Sequence, residues 1–170
     1  GVDCILKCQV KVDGKLTAWC AQHDEKDFSP RPARTFEPVS LTASESIGVV
    51  HALMAVENPG PAIIAAVDGL NEWLTAVKIP GIKVEDRPNE GTPRGFERFV
   101  VEDPSAPPMW ARFYEIGTNK PMFLDRDSVV KYKLSEIGVE RRTGYKWLGY
   151  WPKNFLEKEY PKWKAKHPSA

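Results

Sequence analysis

Apolar residues recur at helical spacing in two neighbouring stretches of this chain. Ile63, Val67, Leu70, Leu74 and Val77 alternate by four and three positions, with Trp73 beside them. That spacing keeps one side of a helix apolar and predicts an amphipathic helix of roughly four to five turns. Just before it, Ile47, Val50, Leu53 and Met54 predict a shorter helix, with Thr42 or Ser44 placed to cap it and Asn58-Pro59-Gly60 to stop it. Joined by a short turn, the two form a helical hairpin, the unit from which bundles and α/α toroids are built.

Elsewhere the pattern is shorter in range. Val2, Ile5, Leu6 and Gln9 share a helical face with no capping residue before them, so that helix is expected to begin ahead of residue 1. Asp13-Gly14 lies between two short alternating runs and predicts a tight hairpin. Residues 21 to 41 carry three prolines and no sustained period, which predicts a long loop of the kind that commonly serves function. A surface loop is expected over 80 to 98, and a strand at 99 to 103. MWARFYEIGTNKPMF is aromatic without helical spacing, with a turn at Gly117-Thr118-Asn119. Residues 128 to 134 alternate like a strand, Ser135 can cap a helix from about 136 to 148, and the closing helical spacing is interrupted by Pro161.

Composition narrows the function classes. With 170 residues, 42% apolar and 28% charged, the chain is expected to form a single globular domain over 1–170. Its formal charge of +1 recommends neither nucleic acid nor an anionic membrane as partner. No apolar run reaches the length of a membrane span, and no signal-peptide pattern opens the chain. The three cysteines, Cys4, Cys8 and Cys20, exclude a complete internal disulfide framework, and no histidine stands at the spacing that would make Cys4 and Cys8 half of a zinc site.

Candidate chemistry gathers at arginines. Arg34, with Arg31 beside it, lies in the proline-stiffened loop, and Arg112, Tyr114, Asn119, Lys120 and Arg126 surround the later turn. Planar guanidinium groups grip carboxylates through paired hydrogen bonds. His23-Asp24 is half of an acid–base pair with no nucleophile motif to use it, and Glu140-Arg141-Arg142 most simply forms a charged helix face. Glycoside hydrolysis would need two carboxylates flanking the bond, and the many acidic residues offer no reason to choose a pair.

The strings KVDGKLTAWCAQHDE, RPARTFEP, SLTASES, VEDPSAPPMWARFYEIGTNKPMF and VVKYKLSEIGVERRTGYKW, in that order, resemble the latter part of the catalytic module of family 10 pectate lyases. The resemblance runs from about residue 2 to residue 152. It implies a mainly α fold, part of an α/α toroid-like helical domain with long loops and short β-hairpins, acting on polygalacturonate or oligogalacturonides by calcium-assisted β-elimination. By position it assigns the catalytic base to Arg34, with Arg31 as the fallback, and substrate binding to Arg112, Arg126, Tyr114 and Asn119. It implies a secreted or periplasmic monomer, Ca2+ as cofactor, and a module whose preceding part supplies calcium ligands that this chain does not nominate. Activity of the chain alone is left open, as are two alternatives: a non-catalytic module that binds acidic polysaccharide, and a glycoside hydrolase.

Overall fold

A computed structural model describes residues 1–168 of the chain. Helix α1 (Val2–Cys8) leads into a hairpin of β1 (Lys11–Val12) and β2 (Lys15–Leu16). Asp13 and Gly14 between them have φ of 50° and 77°, the backbone that a tight two-residue hairpin needs. Gln9 closes α1, and its buried amide nitrogen donates to the Thr17 and Ala66 carbonyls, both at 2.9 Å.

The long segment from 21 to 41 is irregular apart from a second short hairpin, β3 (Gln22–His23) with β4 (Pro30–Arg31), and it runs into β5 (Leu41–Thr42). Helices α2 (Glu45–Met54) and α3 (Pro61–Ala76) then stand where the apolar spacing put them. Ser44 occupies the N-cap position of α2 without a side-chain cap, while Thr42 Oγ1 donates to the Trp19 carbonyl at 3.0 Å. Pro61 opens α3, where its missing N–H leaves no helical bond unmade. At Gly69 the hairpin lies directly on the helix: a Cβ there would stand 2.6 Å from Leu16 Cβ and 2.8 Å from Leu16 O.

The stretch expected as a surface loop instead holds β6 (Ile82–Pro88), paired along its whole length with β7 (Phe96–Glu102). Its charges are the outer side of a half-exposed ribbon, where Arg98 donates across the strands to Asp86 at 2.7 and 2.8 Å. Next come β8 (Trp110–Ala111), β9 (Phe113–Tyr114), β10 (Pro121–Leu124) and β11 (Val130–Lys131), the last shorter than expected. A 3-10 turn at Leu134–Glu136 precedes α4 (Val139–Gly144). The helix expected to 148 stops because Tyr145 is extended (φ −141°, ψ 148°) and starts the approach to β12 (Leu148–Gly149), which pairs with β8. A π-helical turn at Phe155–Glu159 continues into α5 (Tyr160–Lys164), with Pro161 in its first turn.

Among the described residues the structure is 32% helix and 23% strand, the strands in five small sheets, so the expectation of a mainly α, toroid-like domain is corrected. The physical reason lies in what covers the long helices. The face of α3 meets strands and their aromatic residues: Trp110 Nε1 donates to Leu74 O at 2.8 Å, and Tyr114 Oη to Val77 O at 2.9 Å. Those strands belong to a four-stranded antiparallel sheet, order β11-β10-β9-β5, and to the β8–β12 pair. The arrangement is α+β. Its core joins Val67, Leu70 and Leu74 to Phe113, Leu124 and Trp147.

Candidate active site

The turn that carries Arg34 is closed by its own residues. Glu37 N–H donates to Arg34 O at 2.8 Å, and the Glu37 carboxylate accepts the Arg34 N–H at 3.1 Å. Buried Phe36 pins the turn to the core, and Ser128 Oγ donates to Thr35 O at 2.8 Å, which ties it to the loop bearing Arg126. Arg112 sits between β8 and β9, its N–H donating to Trp147 O at 2.7 Å and its side chain to Glu45 Oε1, at the start of α2, at 2.8 and 2.5 Å. Asp125 accepts the Gly138 N–H at 3.0 Å, which fixes the start of α4, where Arg141 lies.

Two aromatic rings collect these arginines. Above Phe36 lie the guanidinium groups of Arg141 at 4.5 Å, Arg34 at 4.9 Å and Arg126 at 5.7 Å. Above Tyr145 lie Arg112 at 4.7 Å and again Arg34 at 5.7 Å. The two rings themselves meet edge to face at 5.1 Å. Trp151 extends the surface, with Lys146 at 5.3 Å and Arg112 at 5.8 Å. Cation–π contact and stacking hold flat cations in one orientation, so they meet a ligand with less entropy to lose.

Three carboxylates offset part of this charge. Glu37 accepts two hydrogen bonds from the Arg34 side chain, at 2.8 and 2.5 Å, and one from Tyr145 Oη at 2.7 Å. Glu140 bridges Arg141, at 2.9 and 3.1 Å, and Arg126, at 3.2 Å. Glu45 pairs with Arg112, and its Oε2 is buried without a donor among the described residues. Four arginines and a lysine thus face three glutamates, a positive excess suited to an anion.

The Arg34 contact, opposed by partial burial and aided by Tyr145, holds the Glu37 pKa down from 4.5 to about 2. The same hydrogen bonds hold Arg34 above the ordinary arginine value, and burial followed by the Glu37 contact pushes Tyr145 up. The Arg34 side chain is 64% exposed, so solvent screens much of the pair. A carboxylate more acidic in the folded than in the unfolded chain stabilises the fold above its unfolded pKa, and loses that contribution as pH falls. Acidification from about 4.5 to about 2 is therefore expected to remove this stabilisation, and Glu37→Gln to lack that component. Denaturant unfolding at stepped pH checks it.

Arg34, Arg112 and Arg126, from two separate clusters of the sequence, meet at the rings of Phe36 and Tyr145. Tyr114 does not join them: it is 0% exposed, its hydroxyl donating to Val77 O and accepting from Ala111 N–H, each at 2.9 Å. Asn119 is also elsewhere, with φ of 56° in the β9–β10 turn and its Oδ1 accepting from Trp73 Nε1 at 3.0 Å. Arg31 pairs with Asp24 and Asp27 on the β3–β4 hairpin, and Lys120 lies over Tyr132. His23 fills both ring nitrogens locally: Nε2 accepts the Cys20 N–H, which leaves Nδ1 to donate to Phe28 O. Arg141, expected on a charged helix face, is only 7% exposed and belongs to the arginine cluster. Phe36, Glu37 and Glu45 join the site with no local signal in the sequence, and Tyr145 joins it as one of several aromatic residues of the sequence that could stack on a sugar ring. Among the described residues, no group of three or more His, Cys, Asp or Glu could hold a metal ion. These residues therefore do not fit a complete calcium site, which takes roughly six to eight oxygen ligands.

The family model for pectic acid lyase matches residues 1–156. The chain belongs to the pectic acid lyase family. Its relatives among solved structures include the family 10 polysaccharide lyase from Cellvibrio cellulosa, 32% identical, with a TM-score of 0.81 over 100% of this chain and 49% of that one. A mutant of the family 10 polysaccharide lyase from Cellvibrio cellulosa, in complex with trigalacturonic acid, is 34% identical, with a TM-score of 0.81 over 95% of this chain and 48% of that one. This pectic acid lyase family chain therefore spans about half the length of the solved structures it matches. No curated protein matches it. Among its described residues, no helix is long and apolar enough to cross a membrane.

Proposed function

We propose that this chain carries the substrate-gripping surface of a pectate lyase, in which Arg34 is the base and Arg112 and Arg126 grip uronate carboxylates. The observation that carries this reading is the sharing of two rings, Phe36 and Tyr145, by the guanidinium groups of Arg34, Arg112, Arg126 and Arg141. Polygalacturonate offers one carboxylate per sugar ring, and a row of preoriented guanidinium groups is what such a polymer needs. Tyr114 and Asn119 serve the scaffold in this proposal. The setting is extracellular or periplasmic, because the polymer does not enter cells, and a monomer suffices.

In β-elimination the base takes the proton from C5, a double bond forms between C4 and C5, and the glycosidic oxygen leaves C4 with its electron pair. Charge flows onto the uronate carboxylate as the proton departs, and Arg112, oriented by Glu45 and Tyr145, can stabilise it there. Arg34 can accept the proton only from its deprotonated form. Glu37 engages Nε and Nη2, so this proposal gives the C5 proton to Nη1. Calcium enters the proposal only as an ion for which the described residues offer no complete set of ligands.

The clamp of Glu37 on Arg34 favours a second reading, in which Arg34 stays cationic and the surface only retains polysaccharide. Incubation with polygalacturonate and calcium separates the readings. Growth of ultraviolet absorbance from a conjugated double bond supports the lyase, and binding without absorbance supports retention. New reducing ends without absorbance indicate hydrolysis and overturn both. Arg112→Ala is expected to weaken trigalacturonate binding by about tenfold or more, the weight of one charge-assisted contact; calorimetric titration measures it.

A further inference from the structure

Away from the arginine surface, a cavity of about 400 Å³ opens between the β6–β7 ribbon, β10 and the turn at Leu134–Glu136. None of Arg34, Arg112, Arg126 or Arg141 lines it. Its walls are apolar, with Ile79, Phe99, Phe123, Leu134 and Leu148, and the exposed side chains of Val100 and Tyr132 also line it. The charged residues in the lining are Arg98, Lys133 and Arg142, of which Arg98 is paired with Asp86 and Arg142 with Glu97. Lys120, over the Tyr132 ring at 5.4 Å, adds another near one wall.

Arg142 is the least ordinary of these. Its side chain is 11% exposed, it donates to Glu97 and to Ser135 O, and yet its Nε–H is buried without an acceptor among the described residues. A buried donor lacking a partner is costly to leave unmet, and a ligand oxygen can meet it. The apolar walls ask for a ring or chain that gains by leaving water, and the cationic lining for an anionic end. A sugar acid suits this cavity poorly, because its hydroxyl groups would lose water against apolar walls.

We propose that this cavity binds a small aromatic carboxylate, its ring between Phe99, Phe123 and Leu134 and its carboxylate toward Arg142 and Lys133. The site is separate from the arginine surface and does not depend on the lyase reading. Fluorescence titration of this chain with anilinonaphthalene sulfonate, an aromatic anion, tests it. Saturation at one probe per chain is expected, with displacement by naphthoate. Neutral naphthalene methanol should displace about tenfold less well, since it forgoes the charge-assisted contact. Val100→Glu places a like charge in the lining and is expected to weaken the probe about tenfold. Lys133→Glu, at an exposed position, gives the same readout should the first variant fold poorly, and circular dichroism checks both.

Binding that does not saturate, or that treats naphthoate and naphthalene methanol alike, overturns the proposal. So does probe affinity unchanged in folded Val100→Glu and Lys133→Glu variants. Displacement by trigalacturonate would put the probe on the arginine surface, and affinity that falls as protein concentration rises would make a second copy the occupant. Either result also removes it.

Discussion

Arg34→Ala is expected to lower the rate of unsaturated-product formation by about a hundred- to ten-thousand-fold, the range that a positioned base contributes, while trigalacturonate continues to bind. Binding persists because Arg112, Arg126 and Arg141 keep their own supports: Glu45 and Tyr145 for the first, Glu140 and Phe36 for the other two. The measurement pairs initial rates of absorbance growth with calorimetry on the same preparation. A drop in kcat with little change in affinity marks a group used in the transition state; equal losses in binding and rate mark a grip. Retained activity would remove Arg34 from the base role. Glu37→Gln adds a second readout, because losing the anion lets the Arg34 pKa fall. The acid limb of the rate profile should then move to lower pH.

The second large effect concerns stability. Trp147→Ala is expected to cost about 3–5 kcal/mol of folding free energy, as truncation of a buried large aromatic does. Trp147 is 1% exposed, and its ring meets Tyr145 at 5.0 Å, Phe123 at 5.9 Å and Phe113 at 6.0 Å. Its Nε1 donates to Arg141 O at 3.0 Å, and its carbonyl accepts the Arg112 N–H at 2.7 Å. Alanine keeps the second contact and loses the first, leaving a cavity beneath Tyr145. Equilibrium denaturation checks the cost. Weaker trigalacturonate binding should accompany it even though the indole does not reach the surface, because Tyr145 and Arg141 lose their backing.

Helix α3 and the Asp13-Gly14 hairpin were legible because each is set by residues close together in the chain. The β6–β7 ribbon was not: Lys83, Glu85 and Arg87 alternate with Val84 and Asp86, and a half-exposed ribbon rich in charge has the composition of a loop. The fold class failed for a related reason. Two good helical stripes imply helices, but they do not say whether strands or further helices will cover them. Arg34, Arg112 and Arg126 are nominated through the family resemblance and the chemistry of guanidinium groups, and the fold gathers them at two shared rings. Tyr114 and Asn119, close to Arg112 in the chain, point into the core and toward Trp73. Glu37 and Tyr145, hydrogen-bonded to each other, come from opposite ends of the chain, and no spacing within one element announces such a pair.

The central sheet sets the order in which this surface can assemble. Strand β5 carries the Arg34 turn at its start, and it pairs with β9 through Leu41 to Tyr114 and Thr42 to Phe113, across both long helices and the β6–β7 ribbon. Hairpins and helices form from near neighbours and close quickly, whereas a pairing of this span must first meet the entropy of a large loop. The guanidinium groups of Arg34 and Arg112 can reach the Tyr145 ring together only after that closure, so the arginine surface is among the slowest parts of the molecule to appear as the chain folds.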